Sequence, residues 1–195
     1  WLDLYQFNVV NYNDAMIFYM FRHLLMAVLI IVSAILYTTR NCPLSRLAHI
    51  TIVSGEFLFT VFAVGLAWMY SSHSSFLSID LVDNETREFM VLWSHFINIA
   101  LIALWVVTLA TLMFITRIRN LFWVGGNFLC VCYIVTLSML VAGGHVEGIS
   151  WYRARLFETV ATLIIIFILL SDVFNLYRDS HLKYQQSYQN SIRDP

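Results

Sequence analysis

Residues 89–116 read FMVLWSHFINIALIALWVVTLATLMFIT, without a single Asp, Glu, Lys or Arg. A helix needs about 20 mostly apolar residues to cross a hydrocarbon core of about 30 Å, and this run has them to spare. Four further apolar runs lie on either side of it, over about 15–38, 47–70, 121–143 and 156–177. Backbone polar groups in lipid must be satisfied within the protein, so only helices and closed barrels span a membrane. Barrel strands read as short alternating segments, whereas these runs are continuous. The expected fold is therefore all-α: a polytopic integral membrane protein with five transmembrane helices in a bundle. The linkers 39–46 and 117–120 are short, which makes consecutive helices antiparallel neighbours.

Composition agrees. Of 195 residues, 60% are hydrophobic and only 12% charged, about half the charged share of a soluble domain. Eleven basic residues against twelve acidic ones leave no electrostatic footprint for nucleic acid. Cys42, Cys130 and Cys132 cannot pair completely, and the last two, two residues apart on a helix, point to different faces.

Basic residues beside the spans set orientation. Arg40, Arg46, Arg117, Arg119, Arg178, Lys183 and Arg193 fall on one side, while Arg87, Arg153, Arg155 and Arg22 lie towards the other. The first side is expected inside, so the N-terminus is outside and the C-terminus inside. The organisation reads as an outer segment 1–14, a membrane domain 15–178 and an inner polar tail 179–195, disordered if free. Trp68, Tyr70, Trp93, Trp151 and Tyr152 are expected as an interfacial belt at the outer ends. Asn84-Glu85-Thr86 matches the N-glycosylation pattern on that side, although it lies too near the third span for good access.

Ionisable residues inside spans are costly, so each is a functional candidate. Glu56 is the deepest. With His49, Thr60, Ala63 and Ala67 it forms a polar and small seam expected to face protein, where it would be a buried, neutral carboxylate or a pathway residue for ion or proton transport. His23, on the first helix, and His95, on the third, lie at matching depth, the arrangement that bis-histidine ligation of a haem b requires, with Arg22 near a propionate. His73, His145 and Glu147, all on the outer side, form a candidate metal set without tight ligand spacing.

Ser54-Gly55-Glu56-Phe57-Leu58-Phe59 resembles the glutamate-bearing helix of cytochrome c oxidase subunit III, over about one span. Histidines on the first four helices are similar to those of five-helix dihaem succinate dehydrogenase anchors, but His49 and His145 fall on opposite membrane sides. Neither resemblance extends along the chain, and no family is assigned from them.

Three functions fit. The preferred one is a non-enzymatic subunit of a larger membrane complex, a bioenergetic one among the candidates, because the loops are too short for an extramembrane catalytic domain. The others are a b-type cytochrome using His23 and His95, and a channel or transporter using Glu56. Expected partners are the bilayer and either other membrane subunits or further copies of the chain, with no nucleic acid. A bacterial inner or mitochondrial inner membrane is the expected location.

Overall fold

The apolar runs fold as helices in a computed structural model that describes residues 11–38, 46–72, 77–116, 121–143 and 145–193. The elements are α1 (Tyr12–Thr38), α2 (Arg46–Tyr70), a π-helical segment (Leu92–Ile97) running into α3 (Asn98–Thr116), α4 (Leu121–Gly143) and α5 (Ile149–Arg193). Five stretches are long and apolar enough to cross a membrane: Tyr12–Tyr37, Ile50–Tyr70, Leu92–Thr116, Leu121–Gly143 and Ile149–Gln186. The all-helical membrane fold read from the sequence is the one observed.

The helices pack as a chain of neighbours in the order α2, α1, α3, α4, α5. Their interior is built from Met16, Ile17, Trp105, Leu112, Leu137 and Leu140, all essentially inaccessible. Small residues let α4 and α5 approach. A Cβ added at Gly125 would stand 3.3 Å from Ile168 Cγ2, and one at Gly143 would stand 2.8 Å from Ser150 Cβ. α2 and α5 lie at the two edges and are the least buried helices.

Several boundaries differ from expectation. The first helix begins three residues earlier than read, because Asn11 caps it: its Oδ1 accepts from the Asp14 N–H at 3.2 Å. The fifth begins at Ile149 and continues as one helix of 45 residues to Arg193. The tail expected to be disordered is thus helical throughout its described part, since no Gly or Pro interrupts it between Ile149 and Arg193. Two members of the expected belt are core residues instead: Trp93 and Trp151 are buried, while Trp68 and Tyr152 stay exposed.

The π segment decides which face of the third span is inside. Along α3 the buried residues are Asn98, Leu101, Trp105, Thr108 and Leu112, at regular helical spacing. That spacing, continued backwards, would bury position 94. The Asn98 N–H instead reaches the Trp93 carbonyl, five residues back, and Trp93 is the buried residue.

Candidate functional site

Two polar layers hold the outer half of the bundle. The outermost begins with backbone groups at the start of α1 that have no partner within the helix. The Asn84 Oδ1 accepts from the Tyr12 and Asn13 N–H groups at 2.9 and 3.2 Å, and its amide donates to Asn11 Oδ1 at 3.2 Å. Asn13, itself buried, donates to the Ile79 carbonyl at 2.8 Å and accepts from the Leu81 N–H at 2.6 Å. Asp14 accepts from the Ser72 N–H at 2.7 Å and hydroxyl at 2.6 Å. The segment after α2 is thereby tied to the head of α1. The amide of the glycosylation pattern is engaged as a helix cap, which argues against its modification.

A second strap joins that segment to the α4–α5 turn. Antiparallel bridges link Val82 with Phe89 and Glu88 with His145. Glu147 accepts from the Tyr12 hydroxyl at 2.6 Å and pairs with Arg87, whose guanidinium lies over the Tyr12 ring at 5.5 Å. Arg87 and Glu147 both have positive φ, 60° and 64°, a backbone cost that their mutual contacts offset. Within the segment, the Glu85 N–H and the Thr86 hydroxyl hold the Asp83 carboxyl below its usual range.

The second layer lies within the membrane span. His23 is buried, with its ring centroid 4.3 Å from Tyr19 and 4.6 Å from Tyr133. The Trp105 indole N–H donates to His23 Nδ1 at 3.2 Å. An indole can only donate, so Nδ1 accepts and the proton of the neutral imidazole sits on Nε2. Nε2 faces Arg22 at 3.4 Å, a contact between two donors. Arg22 pairs instead with Glu158 of α5, which also receives Arg155 at 3.5 Å. The Arg155 guanidinium lies over the rings of Tyr19 at 4.3 Å and Trp151 at 4.2 Å. The Tyr19 hydroxyl and the Arg155 Nε are buried without a hydrogen-bond partner. The cluster therefore clamps α1 to α5, with α3 and α4 supplying the aromatic wall.

The sequence candidates separate. His23 is central, but His95 is exposed and bonded to its neighbour Ser94 at 3.0 Å. The extra residue of the π segment turns His95 away from the bundle, and Tyr19 and Tyr133 fill the space a macrocycle would need at His23. The paired histidines do not form a haem b site, and Arg22 serves Glu158 rather than a propionate. Asn98, one turn beyond His95, makes the interhelical bond to the Leu137 carbonyl at 3.2 Å. His145 is exposed and Glu147 is occupied by Tyr12 and Arg87; His73 lies outside the described residues. Among the described residues no cluster of three or more His, Cys, Asp or Glu could hold a metal. Glu56 is half-buried rather than enclosed; of the described side chains of its seam, Ala63 and Ala67 are buried and Thr60 is half-buried. The sequence places Arg155 among the basic residues of the same side as Arg22, and the part that Glu158 plays in joining them is seen only in the packing.

The chain belongs to the MASE4 family, described as a membrane-associated sensor, integral membrane domain, which matches residues 1–177. It is similar to the probable diguanylate cyclase DgcT of Escherichia coli (strain K12), at 22% identity over 167 residues. That match covers 85% of this chain and 37% of the relative's length. No solved structure matches. The chain is thus an integral membrane domain in contact with lipid, and a bacterial inner membrane agrees with the source of the relative. Membership of a sensor family overturns the reading as a subunit of a bioenergetic complex, together with the cytochrome and channel alternatives.

Proposed function

We propose that the chain is the membrane-embedded input domain of a signalling protein, in which α5 carries the state of the Arg22–Glu158–Arg155 cluster to an output on the inner side. One observation carries this reading: Glu158 and Arg155 sit on the same uninterrupted helix that runs on to Arg193. A helix transmits displacement or rotation along its length because its backbone bonds lie within the segment. The cluster is a suitable place for a stimulus to act, since a small change in a charge-assisted contact inside lipid alters the balance between two packings. The open Tyr19 hydroxyl and Arg155 Nε are the points at which a further polar group can enter. The excess of basic residues around the opposite helix ends supports the inner placement of Arg193. The relative supports diguanylate cyclase as the class of output.

The test is a chimera in which this chain replaces the matched segment of the relative. Glu158→Gln should shift its diguanylate cyclase activity several-fold, and Glu158→Asp, which keeps the charge, should shift it less. Equal activity in all three forms at equal membrane levels would contradict the proposal.

A further inference from the structure

Two guanidinium groups meet one carboxylate in the membrane-embedded cluster. Arg22 and Arg155 both pair with Glu158, and both lie over the Tyr19 ring, at 5.1 and 4.3 Å from its centroid. His23, which accepts the Trp105 indole N–H through Nδ1, carries no charge. One positive charge of the cluster is thus left without a counter-charge inside it, and an unanswered charge within a span is costly.

The hydrogen bonds leave the same gap. Five side chains touch in a closed loop: Tyr19 to Trp93 at 6.2 Å, Trp93 to Phe89 at 6.2 Å, Phe89 to Trp151 at 6.4 Å, Trp151 to Arg155 at 4.2 Å and Arg155 back to Tyr19 at 4.3 Å. Three of them carry a buried polar atom without a partner: the Tyr19 hydroxyl, the Trp93 indole nitrogen and the Arg155 Nε. Tyr19 is 4% exposed and Trp93 0%. An indole N–H and a guanidinium N–H only donate, so the missing group is an acceptor. A water molecule accepts but leaves the charge unanswered; an oxyanion answers both. Its way in lies between α1 and α5. The last helix packs on α4, and α1 on α2 and α3, so side chains rather than backbones close the space between them, and Arg22 is half-exposed there.

We infer that the outer half of the bundle binds a singly charged oxyanion, a phosphate or carboxylate group, between α1 and α5, with Arg155 and Tyr19 as donors and the Trp93 indole next to them. An anionic phospholipid brings such a group in sideways from the bilayer; a small soluble anion brings it from the outer face. The bound group competes with Glu158 for Arg155, whose contact with that carboxylate, at 3.5 Å, is the looser of the two. That consequence rests on the reading of this cluster as the place where a stimulus acts, but binding itself is measured without any output.

Thermal unfolding of the whole chain in a neutral detergent tests it, with phosphatidylglycerol, with phosphatidylcholine at the same mole fraction, or with sodium phosphate or acetate added. A group that binds the folded form raises the midpoint in a saturable way. Phosphatidylglycerol should do so and phosphatidylcholine should not. Tyr19→Phe removes a hydroxyl that has no partner, so the midpoint without additive should stay or rise; Arg155→Lys keeps the charge and removes Nε. Each should raise the half-saturating concentration by roughly tenfold, the worth of one hydrogen bond to a charged group. A saturable shift with the soluble salts alone, weakened by both variants, supports the site and makes a free anion its source. No shift with either source, or a shift that Tyr19→Phe leaves unchanged, overturns it; should Arg155→Lys fail to insert, Tyr19→Phe alone decides. No cyclase takes part, so failure here leaves the chimera experiment standing, and failure there leaves binding intact.

Discussion

Glu158 is the residue on which the intramembrane cluster turns, because its carboxylate answers two guanidinium groups from different positions. It is almost fully buried while the Arg22 side chain is 49% exposed, so the pair is neither a surface ion pair of negligible worth nor a sealed one. Removing one partner of a buried pair costs about 3–5 kcal/mol; half-exposure of Arg22 reduces this to about 2 kcal/mol. Glu158→Ala should lower the unfolding midpoint in detergent by about 4–8 °C, with Glu158→Asp falling between it and wild type. His23 is held differently, by one donor and two rings. A double-mutant cycle with His23→Phe and Trp105→Phe should show a coupling of about 1 kcal/mol; additivity would mean the indole does not donate to the ring. At the head of α1, Asn84→Ala should cost about 1 kcal/mol through loss of its cap, read as faster amide exchange at Tyr12 and Asn13.

Among the elements, the third span shows where sequence reading stops. Its existence was plain from the absence of charge over 89–116, but its facing was not, because periodicity assumes 3.6 residues per turn and Leu92–Ile97 departs from that. His95 was therefore matched to His23 by depth and placed on the wrong face. The end of α5 differs for another reason: polar composition beyond Tyr177 resembles a tail, whereas the absence of Gly and Pro up to Arg193 lets the helix run on. Arg22, Arg155 and Glu158 were individually visible as charges at similar depth, but only packing reveals that α1 and α5 present them to one another. The α4–α5 turn offers a test of close approach. Gly143→Ala would place a methyl 2.8 Å from Ser150 Cβ and should cost about 1–3 kcal/mol by overpacking, seen as a lower unfolding midpoint.

For the whole molecule, the two polar layers and the long last helix form one line of contacts from the outer surface to the inner end. The straps from Asn84, Arg87 and Glu147 fix the outer ends, the Arg22–Glu158 pair binds α1 to α5 beneath them, and α5 alone continues beyond the bundle. With the topology read from the basic residues, cysteines at Thr86 and Ser180 should be labelled from opposite faces of the membrane; labelling from the same face would remove the direction of signalling. The claim that α5 is the transmitting element is tested most directly by changing its phase. In the chimera with the diguanylate cyclase relative, one alanine inserted after Arg178 rotates everything beyond it by about 100°, whereas a seven-residue insertion restores the face to within about 20°. The account predicts that the single insertion abolishes the effect of Glu158→Gln on output and that the seven-residue insertion preserves it; an output that responds to Glu158→Gln alike in both would contradict it.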